Sequence, residues 1–314
     1  MKIGQMQIGQ MKNGGKKLCK TLFAQAAPRR FSSRFAWMLI ACLAFAVYPS
    51  PHAHSQSIRF EARAVVEDHL RSFSAQNRER EARIRQWLAE AGCKPANLSE
   101  QAISKQTIGR ELPPNVICVL PGQTPETIVV GAHTDHVDAG DGVVDNWTGA
   151  VLLPALLYSL SAHSRHHTLI FIGFSAEESN LTGSRYYAAH LTRAQRARIE
   201  AVVNFDSLGL GPTEVWASHA DKTLFDALQT TARAAKLPLT VMNPERGASA
   251  DSESFAPYRI PRITLHSVTE QTWPILHSPS DNLDAVKTND YYDSYKLIAK
   301  YLAYLDNTLK PEKR

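Results

Sequence analysis

The chain has 314 residues, 44% of them apolar, with 16 Gly, 17 Pro and a formal charge of +5. That composition excludes a mainly disordered chain, a collagen-like fibre and a cysteine-dense scaffold, and the length supports a sizeable buried core. Residues 1–55 carry eight basic side chains and no acidic one, which leaves 27 basic against 30 acidic residues in the rest, a net charge of −3. That remainder shows no basic patch interleaved with aromatic residues, so nucleic-acid binding is not expected.

Arg29, Arg30 and Arg34 precede the apolar run Ala36–Tyr48, which Pro49 and Pro51 close. A basic segment, a short apolar segment and a polar exit form the pattern of a secretory signal peptide, and the run falls short of the roughly 20 apolar residues of a membrane span. Ala53-His54-Ser55 offers small residues for cleavage before Gln56. Residues 1–55 therefore read as a leader and 56–314 as one domain, exported to the periplasm or the medium, with no stable membrane insertion once the leader is removed. Leu39-Ile40-Ala41-Cys42 resembles a lipobox, but the apolar run continues past Cys42, so a plain cysteine of the apolar segment is the favoured reading, with an uncleaved N-terminal anchor or a lipid anchor as the alternatives. Cys93 and Cys118 remain after the leader; in an oxidising compartment they can pair, and two buried thiols are the alternative.

Beyond the leader, residues 58–92 read as one or two helices, with Val65, Val66, Leu70, Phe73, Ile84, Trp87 and Leu88 at helical spacing. Asn115–Leu120 and Thr127–Ala132 are β-branched runs separated by the turn pair Pro121-Gly122. Thr148–His163 is apolar with helical period, and Pro154 is expected to kink it. Leu169–Phe174 and Ala201–Phe205 read as strands buried on both faces, and Val215–Ala217, Leu239–Met242 and Ile263–His266 as further strands. Residues 221–235 and 290–310 read as amphipathic helices. Strands alternating with helices predict an α/β fold, a three-layer α/β/α sandwich around a mostly parallel mixed sheet.

The chemistry gathers where these strands end. The first long strand runs into His133-Thr134-Asp135, and the loop after it reaches Asp145-Asn146 before a helix. The next strands end in Glu177-Glu178 and Asn204-Phe205-Asp206, and a last loop carries His277 through Asp281. Ligands of open α/β sheets bind outside the carboxyl ends of the strands, so these side chains converge on one rim. Taken singly, each is an ordinary cap, solvated pair or edge histidine. Together, uncompensated carboxylates would repel one another, and a two-histidine, carboxylate-rich set suits divalent cations, zinc above all.

The ordered motifs Gly131-Ala132-His133-Thr134-Asp135, Val144-Asp145-Asn146-Trp147-Thr148-Gly149, Ala176-Glu177-Glu178, Leu181-Thr182-Gly183-Ser184, Asn204-Phe205-Asp206 and His277 with Asp281 resemble those of the secreted dizinc aminopeptidases. That group of clan MH metallopeptidases also contains glutamate-carboxypeptidase-type enzymes and glutaminyl cyclases. The resemblance implies two Zn²⁺ per chain, one held by His133 and Asp206, the other by Glu178 and His277, with Asp145 bridging. It implies that Asp135 orients His133 by accepting its ring N–H, and that Glu177 is the general base. The implied substrates are peptides with a free N-terminus. A glutaminyl-peptide cyclotransferase with one zinc is the alternative, although cyclases usually carry Asp-Ser where this chain has Asp145-Asn146; a binding homologue without catalysis is a third reading. Where many relatives carry Ser-Asp-His, this chain has Ser249-Ala250-Asp251-Ser252-Glu253-Ser254-Phe255, which bears on the substrate pocket. His136, Asp138 and Asp141 read as solvated loop residues and His163, His166 and His167 as surface residues. Trp147, Trp273 and Phe255 are candidates for an apolar substrate pocket or for core packing.

Overall fold

Continuous apolar runs without alternation require cover on both faces, and the central strands receive it. The computed structural model describes residues 58–103, 112–243 and 249–309, all within one unit, His54–Arg314; the leader lies outside the described residues. Eight strands form one sheet in the order β1-β2-β4-β3-β5-β8-β6-β7. They are β1 (Leu98–Gln101), β2 (Asn115–Leu120), β3 (Thr127–His133), β4 (Thr168–Phe174), β5 (Ile199–Phe205), β6 (Thr213–Val215), β7 (Leu239–Val241) and β8 (Arg262–His266). The four central strands pair in parallel, with His133 of β3 beside Phe174 of β4 and Gly131 beside Asn204 of β5. β1–β2, β2–β4 and β6–β8 are antiparallel, so the sheet is mixed and mostly parallel at its centre, as expected.

Alternation along each strand sorts the side chains into two layers. Ile128, Val130 and Ala132 face the larger core together with Phe171, Val203 and Leu265. That core is closed by helices α1 (Arg63–Arg71), α2 (Asn77–Glu90), α3 (Thr148–Ser161), α6 (Lys222–Ala235) and α7 (Thr288–Thr308). Val129, Ile172, Phe174 and Val202 face the other side, where they meet α4 (Thr182–His190) and the 3₁₀ segment Asp251–Tyr258 through Tyr187 and Phe255. The short α5 (Arg193–Ala197) is set by a capping box between Thr192 and Gln195. The stretch Val143–Ser161 is apolar enough to cross a membrane, but it is buried in the core. α3 runs through Pro154, where the ring removes one backbone donor inside the hydrophobic layer. Cys93 and Cys118 form a disulfide that ties the end of α2 to β2.

Two histidines lie elsewhere than the sequence placed them. His136 is buried, with its main-chain N–H on Asn77. His167 is buried too, because Asp306 of α7 accepts its main-chain N–H at 2.7 Å and faces its Nδ1 at 3.1 Å. Trp147 and Phe255 are fully buried core residues, so of the three candidate pocket aromatics only Trp273 lines the cavity described below.

Candidate metal centre

His133, Glu178 and Asp206 stand at or just after the carboxyl ends of β3, β4 and β5, Asp145 precedes α3 and His277 lies in the loop after β8, and main-chain geometry there is unusual for the residues that adopt it. Ala176 before Glu177, Ser207 after Asp206 and His277 itself all have φ near +55°. For residues with a Cβ this left-handed conformation costs about 1–2 kcal/mol, so the surrounding contacts must hold it.

Those contacts are specific. The Asp135 carboxylate accepts the main-chain N–H of Glu177 at 3.0 Å and of Glu178 at 3.3 Å, presenting both glutamates. His133 Nδ1 lies 3.1 Å from the main-chain oxygen of Asp135 and 3.7 Å from its carboxylate. The carbonyl of Asp135 is thus the acceptor for the ring N–H, and its carboxylate serves the glutamate turn instead. Asp281 is buried and accepts from Val144 N–H at 2.7 Å and Asp145 N–H at 3.2 Å. Asn146 donates to the Phe205 carbonyl at 2.8 Å and accepts from Gly149 and Ser207, tying the Asp145 turn to the Asp206 turn. Beneath the loop, the guanidinium of Arg80 is fully buried. It donates to the carbonyls of Ser74, Gly142 and Asp141 and lies over the Trp147 ring. Gly140 has φ +82°, and a Cβ there would sit 2.2 Å from the Ser278 carbonyl, so only glycine lets this loop reach the one carrying His277. The sequence motifs contained Asp281 and Asn146 but not these duties, and nothing in the helical pattern of residues 77–90 marked Arg80.

The result is two triads that share one residue. His133 Nε2 lies 3.2 Å from Asp145 Oδ1 and 3.5 Å from Asp206 Oδ1. His277 Nε2 lies 3.2 Å from Asp145 Oδ2 and 3.1 Å from Glu178 Oε2. Within each triad the ligand atoms all lie within 4.8 Å of one another. A tetrahedral Zn²⁺ with bonds of 2.0–2.2 Å separates its ligands by about 3.3 Å, so the N···O spacings are those a cation would leave between them. His133 Nε2 and Glu178 Oε1 are buried without a hydrogen-bond partner, the expected condition of atoms meant for an ion. The donor set therefore fits two divalent cations.

Protons take the place of cations electrostatically. Hydrogen bonding to Asp145 and Glu178 pushes His277 up to about 10 against its burial. Burial opposes the charged form of His133, but Asp135, Asp145 and Asp206 outweigh it and hold the imidazole well above its ordinary value. Burial pushes Glu177 up to about 10, opposed by His133 and reinforced by Asp206, Asp251 and Asp145. Ligand binding here is thus linked to proton release.

A cavity of about 260 Å³ opens beside the triads, bounded by Asp145, Glu177, Glu178, Asp206 and His277 and continuing to Trp216, His266 and Trp273. It is large enough for about one amino-acid residue at its inner end.

Several known proteins resemble this chain. The aminopeptidase YwaD of Bacillus subtilis is 25% identical over 234 residues, 70% of this chain and 49% of that protein. A zinc aminopeptidase from Bacillus subtilis superposes with a TM-score of 0.57 at 21% identity, over 63% of this chain and 52% of that one. A glutaminyl cyclase from an Acidobacteriales bacterium superposes with a TM-score of 0.67 at 17% identity, over 81% of this chain and 97% of that one. These structural likenesses show the α/β fold. The chain spans about half the length of YwaD, and less of other curated relatives it matches. The sequence profile described as Peptidase family M28 matches residues 115–302, more than half of the chain and all five candidate ligands, so the protein belongs to peptidase family M28.

Proposed function

We propose that the protein is an exported metalloaminopeptidase that removes single residues from the N-terminus of peptides with two Zn²⁺ ions and Glu177 as general base. The observation that supports this reading most is the sharing of Asp145: its two carboxylate oxygens face two different histidines, each with its own second carboxylate. His133, Asp206 and Asp145 would hold one cation, and Glu178, His277 and Asp145 the other. When bound, the ions would supply the positive charge that acidifies a water, polarises the scissile carbonyl and brings Glu177 into the range of a base.

The rest is work for the chain itself. Glu177 would accept the proton of the attacking water at its carboxylate and return it to the leaving nitrogen. The Asp135 carboxylate, through the two amides it accepts, would keep Glu177 and Glu178 on their separate tasks. A free α-amine would offer its nitrogen lone pair to one of the two cation sites, which a blocked terminus cannot do, so cleavage would be confined to unblocked peptides. A cavity of about 260 Å³ is sized for about one residue, which supports an exopeptidase. Export is supported by the leader pattern of residues 1–55 and by the Cys93–Cys118 bridge.

A second reading rests on the length match to the glutaminyl cyclase, of which this chain covers 97%. Metal analysis combined with a panel of aminoacyl anilides, N-blocked peptides and N-terminal glutamine peptides separates the two. Two zinc ions per chain with cleavage of unblocked substrates only is the expected result. One zinc with pyroglutamate formation overturns it in favour of the cyclase, and the absence of any turnover favours a binding homologue.

A further inference from the structure

Positive charge on the domain gathers on one side of the sheet. Residues 179–199 contain Arg185, Arg193, Arg196 and Arg198 and no Asp or Glu; the flanking carboxylates are Glu178 at the metal centre and Glu200, buried in β5. Arg185 stands on α4, and the other three on α5 and the residue that follows it. Arg196 donates to the Ala188 and Ala189 carbonyls at the end of α4, and its guanidinium lies 3.9 Å from the centre of the Tyr258 ring. That contact brings Arg259, the next residue, to the same surface. Arg185, Arg193, Arg198 and Arg259 are exposed, and among the described residues none of the five arginines forms an ion pair. Glu253 of the same layer is engaged by Arg262 and His219. Glu126 lies beside Thr127, whose N–H donates to the Arg198 carbonyl, and meets Arg198 only through its field.

The patch runs against the charge of the domain that carries it. Without these five, the 27 basic side chains of residues 56–314 fall to 22 against 30 acidic, so attraction to an anionic surface has to come from a local concentration of charge. Its position separates it from the chemistry. Arg198 directly precedes β5 and Arg259 lies just before β8, at the amino ends of the parallel strands, while the triads lie past the carboxyl ends. β5 has seven residues, which at about 3.3 Å each hold its two ends about 23 Å apart. The occupant of the patch is therefore not the bond being cut. All five cations are arginines, whose planar fork takes two phosphate oxygens at once. The half-buried Tyr258 among them has an apolar ring and a polar tip, the combination that sits at the level of lipid headgroups. We propose that this patch docks the protein on an anionic bilayer through phosphate headgroups, adsorbed rather than inserted, with the metal centre at the far end of the strands. The choice of a bilayer over a nucleic acid rests on the export proposed above.

Vesicle sedimentation tests it on the protein as isolated, with its N-terminus fixed by mass. Mixed phosphatidylglycerol–phosphatidylcholine vesicles are compared with pure phosphatidylcholine, at low salt and near 1 M, where the Debye length falls to about 3 Å. Salt-sensitive binding to the anionic vesicles is expected. Arg193→Gln/Arg198→Gln/Arg259→Gln spares Arg196, which ties the end of α4, and is expected to weaken that binding about 100-fold, at about fivefold per guanidinium. Lys94→Gln/Arg233→Gln/Lys236→Gln removes the same charge from exposed positions after α2 and at the end of α6 and is expected to bind as the parent does. Both variants are checked for fold by melting. Whatever remains of the leader is common to all three proteins, so the difference between parent and variants decides. Binding kept by the arginine variant overturns the proposal, as do equal loss in both variants and failure of the parent to bind. Retention on duplex DNA without vesicle binding overturns it in favour of a nucleic acid. None of these readouts uses turnover, so their failure leaves the aminopeptidase reading where it was.

Discussion

The disulfide is the feature whose energetic effect follows most directly from the geometry. Cys93 and Cys118 are buried, and their bridge spans a sequence separation of 25 residues that includes β1. In the chain-entropy account, cross-linking a loop of that length removes unfolded-state freedom worth about 3.5 kcal/mol at 25 °C. For a domain of this size 1 kcal/mol moves the melting midpoint by about 2–4 °C, so reduction should lower it by about 10 °C. The denaturant slope should also rise, because the reduced unfolded chain exposes more surface. The assay is thermal and urea unfolding with and without a phosphine reductant, metal-free in both arms so that chelation cannot imitate the effect. Cys93→Ala/Cys118→Ala with reductant is the control, since reductant should not affect it further. A midpoint shift below about 2 °C would refute the reasoning, because loop closure would then be no determinant of stability.

Four further outcomes are expected. Glu177→Gln should retain both metals and lose about 10²- to 10⁴-fold in kcat/KM; metal content by emission spectrometry and rates on an unblocked anilide check it, and near-full activity would remove Glu177 from the chemistry. Gly140→Ala places a Cβ against the Ser278 carbonyl at a left-handed φ, so stepwise metal titration should show the His277 triad weakened well before the His133 triad; equal loss at both would count against the loop account. Asp306→Asn removes a charged acceptor from the His166 and His167 amides and from the His167 ring, and should cost about 2 kcal/mol in urea unfolding. Burial, with Glu100 adding and Arg85 and Arg78 opposing, pushes Glu81 up to about 7. The folded state then binds the extra proton above pH 4.5, so this residue's contribution to stability is full at lower pH and lost as pH rises through about 7. Glu81→Gln cannot ionise, and its stability relative to the parent should grow from pH 4.5 to pH 8; a difference independent of pH would sink the assignment.

The parts of the fold legible in the sequence are those where one physical demand dominates. β2 was readable residue for residue, and β3, β4, β5 and β8 to within two residues, because strands covered on both faces must be apolar throughout. β1 was not visible: Leu98–Gln101 is a partly exposed edge strand with two polar exposed residues at its middle, and pairing with β2 rather than any internal pattern makes it a strand. α4 and α5 were missed as well, since α4 is weakly amphipathic and α5 is a single capped turn. At the site, residue types and order were readable and angles were not. Asp135 was assigned to the His133 ring, and it faces Nδ1 with its main-chain oxygen at 3.1 Å and its carboxylate at 3.7 Å, while that carboxylate also accepts the Glu177 and Glu178 amides, a second duty that sequence does not reveal. His167 looked like a surface residue because its partner, Asp306, lies 139 positions away.

The charge distribution explains why the site needs something from outside the chain. Asp135 and Asp281 each spread their charge over two backbone amides. Arg80 is the one buried arginine or lysine among the described residues, and its donors all go to main-chain carbonyls, so no carboxylate is neutralised by direct pairing with it. It fixes the loop that delivers Asp145 without quenching the charge there. Among the described residues, the cationic partners facing Asp145, Glu178 and Asp206 are His133 and His277, and Asp206 accepts in addition from the Ser207 hydroxyl. Imidazolium protons can hold that arrangement together, and two divalent cations can hold it better while freeing the same protons. The basic excess of the whole chain lies in residues 1–55; the remainder is a mildly acidic domain whose acidity matters most at two triads, where the proposed cations would supply the matching positive charge.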